Sequence, residues 1–524
     1  MKKRIHAIAQ ALDKTTITSI VMISILVSLL TLSIPVASQT LVNLIAFGKV
    51  LQPVITLSII ILVIMLAVGA LNIWQSVIIE VIQQKIIVNI SVDLTKQFTH
   101  LSLHNFTTHN GPELVNRYFE VMTINKALAH LLLYGINYSL QLICSLILLL
   151  FYHPIFLIFD AFVLICLVLI IFIPYHKGSQ SADEECFQKH QIGAWLEELL
   201  ANRFLFRFNK NYQYAIKQTD HRLVSFLKAR NTHFNQLIKH QLGFYLLSAL
   251  ASSLLFGLGG YLVINDQLSL GQLVAAEIIL GALINSFKRF YSLLENYYDL
   301  VASEHKIDTV LNLERETIKT ELHELITPIE TITIHLGNHI ASCKIGEQLL
   351  IGVNESIQSR LISDYIVGIR HGDNWALFIN NLRCLPEHQR TLCKTALLVR
   401  NNEWFAGSIY DNLCLNHPCL TKELNDLLRE FGLINKILGQ PNGLKTIIYD
   451  WEAIFSDSEL TKMLTIRALI AKPPLIIFDG VFDNLDKSEL KLIIAYLNHL
   501  KESICIIFSQ NPGRIDLANR LVLS

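Results

Sequence analysis

Asp479 is the side chain whose position most clearly announces chemistry. It closes Leu475 to Phe478, a short unbroken apolar run of the kind that forms a parallel strand buried on both faces. Before it, Leu460 to Leu469 carries apolar residues at helical spacing, and Pro473 and Pro474 end that helix. The order is helix, break, core strand, carboxylate. Four other groups have types or spacings that chemistry could use. His100 and His104 stand four apart, one face of a helix, as zinc ligands do, but no third ligand shares their register and a solvated helix face is the favoured reading. Asp160 and Glu277 lie inside long apolar stretches, where an ionisable side chain is either functional or an interfacial carboxylate bonded to a neighbouring helix. Phe204, Phe206 and Phe208 alternate with Arg203 and Arg207, a mixture that nucleic acid can select.

The elements that must position these groups are mostly apolar. Of 524 residues, 52% are hydrophobic and only 16% charged, with mean hydropathy +0.43, which predicts a membrane half and a soluble half. The formal net charge is zero, so no nucleic-acid partner is expected. Nine cysteines occur without a CxxC pair and are expected as free thiols. Thr15 to Phe47 and Val50 to Ile79 contain no Asp, Glu, Lys or Arg, and each exceeds the roughly 20 residues a helix needs to cross a bilayer. Tyr152-His153-Pro154 divides a further uncharged stretch in two. Six spans are expected, at about 15–47, 50–79, 128–151, 155–175, 241–264 and 270–296. Asp160 then sits about six residues into span four, roughly 9 Å deep at about 1.5 Å per residue.

The loops divide by length. Glu80 to Lys126 and His176 to His240 are long and polar, whereas the other connections are a few residues. The long loops share a side with Lys2, Lys3 and Arg4, and the positive-inside rule makes that side cytoplasmic, with both termini inside an inner or plasma membrane. A charged stretch from Tyr297 to about Glu330 leaves the membrane and becomes a linker. The expected domains are residues 1–315, a linker at 316–330, and 331–524.

AKPPLIIFDG, followed by NLD, resembles the segment around the second acidic motif of ATP-binding cassette (ABC) proteins. Other phrases extend the resemblance to nearly the whole chain. YHP, GPELVNR (Gly111 to Arg117), EELLANRFLFRF (Glu197 to Phe208) and LSLGQLVAA are similar to the span-three turn, the two coupling helices and the start of span six in exporter-type members. The resemblance makes Phe204 to Phe208 part of a coupling helix. It implies a membrane all-α domain of six helices followed by an α/β P-loop NTPase-like cassette, working as a homodimer or as a heterodimer with a related half-transporter.

It also places a nucleotide site whose residues have changed. Gly352 opens GVNESIQSR where the family has GxxxxGKST; Ile357 stands for the second glycine, Gln358 for the lysine, and Ser359 keeps the hydroxyl that holds magnesium. A β-branched residue disfavours the left-handed backbone a glycine allows, and glutamine lacks the charge that pairs with phosphate. Arg400 occupies the Q-loop glutamine, Ser456 keeps one residue of a signature reading FSDSE, Asp479 keeps the magnesium-ligand position, Gly480 replaces the catalytic-base glutamate and Gln510 the switch histidine. Asp457 and Glu459 are expected to face a partner's γ-phosphate and repel it. The loop that brings an aromatic ring to adenine, with the strand before it, is expected to be largely lost. The resemblance thus implies ATP and magnesium as cofactors with a site poorly fitted to hold them, and no catalytic residue. Two functions are expected, in this order: export of an unidentified substrate by a dimer with impaired nucleotide handling, and a regulatory or scaffold role of a pseudo-ATPase. No peptidase-like segment precedes span one, which weighs against export coupled to leader processing.

Overall fold

The computed structural model describes residues 13–47, 51–101, 111–208, 210–315, 328–370, 375–385, 389, 392, 396–400, 403–415, 417–418 and 421–523. Lys2 to Arg4, His104, the turn at 48–50 and most of the 316–330 linker lie outside them. Two units divide between Arg315 and Glu316.

The first unit contains six helices long and apolar enough to cross a membrane: Lys14–Leu44, Leu51–Thr99, Glu113–Tyr152, Phe156–Ala201, Asn211–Ile264 and Leu270–Leu311. Most of these helices outrun their apolar stretches by many residues, so the long polar loops of the sequence are continuations of the spans. Span one is interrupted at Leu32, and span three passes through one π-helical turn at Leu131–Gly135. Span six begins with a capping box, in which Gln272 N–H donates to Ser269 Oγ and Ser269 N–H to Gln272 Oε1. Span two leaves Ile59, Leu62, Val63 and Leu66 exposed. A stripe of that kind matches hydrocarbon rather than water. The chain is an integral membrane protein. Where spans four, five and six continue into polar sequence they are joined by buried hydrogen bonds: His240 to Tyr298 at 2.9 Å and Ser181 to His233 at 3.0 Å.

The second unit is α/β. Its strands are β1 (Thr331–Leu336), β2 (His339–Lys344), β3 (Gln348–Gly352), β4 (Trp375–Ile379), β5 (Leu382–Cys384), β6 (Ala396–Val399), β7 (Gly407–Ser408), β8 (Ile447–Ile448), β9 (Leu475–Asp479), β10 (Ile504–Ser509) and β11 (Arg520–Val522). Its helices are α1 (Ser356–Ile366), α2 (Ile409–Cys414), α3 (Thr421–Glu430), α4 (Ile434–Leu438), α5 (Asp457–Ala471) and α6 (Lys487–Leu497). The central sheet runs β11-β3-β10-β9-β6, all parallel, flanked by a separate antiparallel sheet β2-β1-β4-β5. QLLIG, LIIFD and ICIIFS form the three inner strands because nearly every residue in them is buried, as strands covered on both faces require.

One expectation about this unit is corrected. The strand preceding the phosphate loop is present: β1 and β2 pair from Thr331–Lys344 to Leu336–His339, joined through Gly337 at φ +61°. The loop between them is two residues, Gly337 and Asn338, without an aromatic ring.

Candidate functional site: the carboxyl edge of the cassette sheet

Parallel strands deliver their carboxyl ends to one edge, and ligands of open α/β sheets bind there. At that edge Val353 just after β3, the ends of β9 (Asp479) and β10 (Ser509), and Arg400 just after β6 surround a cavity of about 480 Å³, with α1 on one side. Ser359, Gly480 and Gln510 also line it, so six of the positions named from the sequence converge, counting Arg400, Asp479 and the loop residue Ile357. Ser456 lies elsewhere, at the start of α5.

The centre of the site is an ion pair. Arg400 Nε donates to Asp479 Oδ2 at 2.8 Å, and its Nη2 donates to Asp364 Oδ1 at 2.5 Å and to Ser363 Oγ at 2.8 Å. Ser363 Oγ donates in turn to Asp479 Oδ2 at 2.9 Å. Burial alone would lower the guanidinium pKa, but Asp364 and Asp479 reverse that and raise it above its ordinary value. The side chains of the two acids are only 3% and 7% exposed, so each needs a cation, and one arginine supplies both. Arg370 adds a weaker, half-exposed contact to Asp364 at 3.3 Å.

The loop after β3 is closed by its own side chains. Asn354 N–H donates to Gln358 Oε1 at 3.3 Å, so an amide that could turn toward phosphate faces a carboxamide. The hydroxyl of Ser359 is buried and donates to Ser356 C=O at 2.8 Å, the backward bond of a serine inside a helix. Ile357 is a correction: it sits in the first turn of α1, outside the left-handed region and exposed, so its branched Cβ causes no backbone strain. Gly352 is required for packing, because a Cβ there would stand 2.8 Å from Pro512 Cγ.

On the other side, Gly480 has φ +69° and donates its N–H to Phe508 C=O at 3.2 Å. Ser509 Oγ and Gln510 N–H both donate to Asp483, at 2.5 and 3.1 Å. Gln510 is therefore held through its backbone.

FSDSE also departs from expectation. Glu459 does not project outward: it accepts from Ser456 N–H at 2.8 Å and pairs with Lys436 Nζ at 2.5 Å, closing a capping box on α5. Burial would raise its pKa, but Lys436 and Ser456 together hold it below the ordinary 4.5. Asp457 remains exposed. Behind α5, Trp404 stacks on Trp451 at 4.7 Å and Arg467 lies over Trp404 at 4.6 Å, its Nε donating to Asn412 C=O.

Ser363, Asp364, Asp483 and Lys436 were not singled out from the sequence. Asp364 carries a signal, a carboxylate on the apolar face of RLISDYI, which demands a cation. The partner is 36 residues away and is visible only in three dimensions. In the membrane unit, Asp160 is buried and its Oδ1 has no hydrogen-bond partner, whereas Glu277 is exposed on the single chain. His100 bonds to Lys96 C=O and Thr99 within its own helix.

Comparison with known proteins places the membrane unit in a family. The family described as ABC transporter transmembrane region matches residues 17–287. The alpha-hemolysin translocation ATP-binding protein HlyB of Escherichia coli O157:H7 is 22% identical over 51% of the chain, which spans only 40% of that relative's length. A putative export ATP-binding/permease protein of Rickettsia bellii is 21% identical over 96% of the chain and 91% of its own length. In fold, the chain is similar to a bacterial Atm1-family ABC exporter solved with ATP bound, with TM-score 0.79 at 15% identity over 98% of this chain and 93% of that one. Its six-span α-helical unit, matched across more than half of the residues, makes the chain a member of the ABC transporter family.

Proposed function

We propose that the chain is an exporter-type half-transporter subunit that acts as a dimer and whose cassette does not turn over ATP. The observation that carries this reading is the Arg400 guanidinium on Asp479. By resemblance Asp479 is the carboxylate that would hold magnesium, and a cation fixed to the chain already neutralises it. Arg400 cannot leave without also removing the shorter of the two cation contacts to Asp364, whose other partner is the half-exposed Arg370. The residues present do not fit magnesium-bound ATP. The loop lacks the lysine, Gln358 fills one of its amides, the Ser359 hydroxyl is spent on its own helix, Gly480 has no side chain and the Gln510 carboxamide is no base. The both-sided damage matters in a dimer, because Ser456 and Glu459 occupy the α5 amides that would otherwise meet a partner's phosphate. That closure favours, as a second reading, a regulatory or scaffold subunit in which the cassette serves for docking.

In this reading both termini are cytoplasmic. The test is steady-state phosphate release by the full chain in nanodiscs, alone and with an intact related half-transporter, with vanadate as control. Negligible vanadate-sensitive release in both cases is expected; turnover near about 1 per second by the chain alone overturns the reading. Flux that needs this chain together with an intact partner separates export from a scaffold role.

A further inference from the structure

Among the described residues, one group of three side chains has the donors of a metal site: Glu120, Cys186 and His190. The membrane fold gives no reason for it. Glu120 opens the helix Glu120–His130, below the apolar part of span three; Cys186 and His190 are one turn apart on the polar continuation of span four, and so share a face. All three are buried, at 2%, 7% and 7% exposure. Their ligand atoms lie within 4.8 Å of one another. Tetrahedral bonds of about 2.0–2.3 Å place ligand atoms roughly 3.3–3.8 Å apart, so side-chain adjustment alone closes the difference.

Three details point beyond an ordinary buried ion pair. His190 Nε2, buried, stands 3.0 Å from Glu120 Oε1 but out of line for a hydrogen bond, so the pair is held by proximity rather than by an aligned bond. Ser303, from the continuation of span six, donates to Glu120 Oε2 at 2.5 Å, the kind of contact that fixes a ligating carboxylate. The present counter-ion, Lys189, reaches Glu120 Oε1 at 2.5 Å from a side chain that is itself half exposed. It has a route to water.

We propose that Glu120, Cys186 and His190 bind one Zn²⁺, clasping the inner continuations of spans three and four. The exchange balances in charge. Binding displaces the Lys189 ammonium to solvent and releases the thiol proton of Cys186; one carboxylate and one thiolate then neutralise the divalent ion, leaving a fourth position to water. Thiolate, imidazole and carboxylate together suit zinc rather than magnesium or calcium, which take oxygen ligands.

The test titrates the purified full chain in nanodiscs with Co²⁺ and then Zn²⁺. One cobalt per chain is expected, with a near-ultraviolet thiolate-to-cobalt band that Zn²⁺ abolishes. Cys186→Ser removes the band. Ser303→Ala weakens binding about tenfold, and Lys189→Met tightens it, since the competing cation is gone. These last two variants keep all three ligands and decide the matter if Cys186→Ser does not fold. Absence of stoichiometric binding overturns the proposal. So does a band that survives Cys186→Ser, because another of the described cysteine thiols would then be its source, or affinity unmoved by both Ser303→Ala and Lys189→Met.

Discussion

On β10, Ile504 to Phe508 are wholly buried and apolar, and one residue later Ser509 enters a network of hydroxyls, carboxylates and arginine. The interior and the edge of the cassette sheet thus meet within one strand, and they have been treated differently. The interior consists of continuous apolar strands in parallel register, whereas the edge gathers charged and hydroxyl side chains. Burial of apolar area is non-directional and tolerates conservative exchange, so the sheet survives many substitutions. A phosphate site depends on particular charges at particular atoms. The acids Asp364 and Asp479 need a cation in so little solvent, and Arg400 supplies one from within the chain.

This contrast can be broken at several points. The largest effect is expected in the interior: Phe508→Ala should destabilise the cassette by about 3–5 kcal/mol, seen as a lower unfolding midpoint of the full chain in the fluorescence of the stacked pair Trp404 and Trp451. Arg400→Ala should cost about 3 kcal/mol in the same measurement, because Asp479 loses its cation and Asp364 keeps only the half-exposed Arg370. An Arg400→Ala protein as stable as wild type would show that the edge does not depend on the ion pair. Smaller again is Gly480→Glu. A side chain at φ +69° costs about 1–2 kcal/mol, and the substitution should leave phosphate release at background. The same strain would burden a combined Ile357→Gly, Gln358→Lys, Gly480→Glu, Gln510→His protein, unless that segment rearranges.

The smallest effect concerns pH. Glu459 is held below its ordinary 4.5 in the folded chain, so its contribution to stability is complete above the unfolded pKa and is lost as pH falls through the lower folded value. Wild type should therefore lose more stability than Glu459→Gln between about pH 5 and pH 3, as read by denaturant midpoints. Equal losses would remove Glu459 from the account of α5. Thiol labelling of Cys186, by contrast, is a poor test of topology, because that side chain is buried; a cysteine placed at exposed Asp266 in the turn before span six reports sidedness directly.

Much was legible in the chain before any coordinates. Uncharged runs longer than a bilayer is thick, a turn at Tyr152-His153-Pro154, and an apolar strand ended by Asp479 are local patterns, and local patterns follow from hydropathy and period alone. The readings of Gln358, Gly480 and Gln510 rest on the family resemblance and belong to the proposed function. Tertiary structure decided where the replaced residues turned. Ile357 entered a helix instead of straining a loop, Glu459 folded back on its own N-terminus, and Arg400 crossed from the end of β6 to join Asp364 and Asp479, which lie 36 and 79 positions away in the chain. A buried charge announces in sequence only that it needs a partner. Which partner arrives depends on the packing that brings distant side chains within about 3 Å, the range in which a charge-assisted hydrogen bond forms.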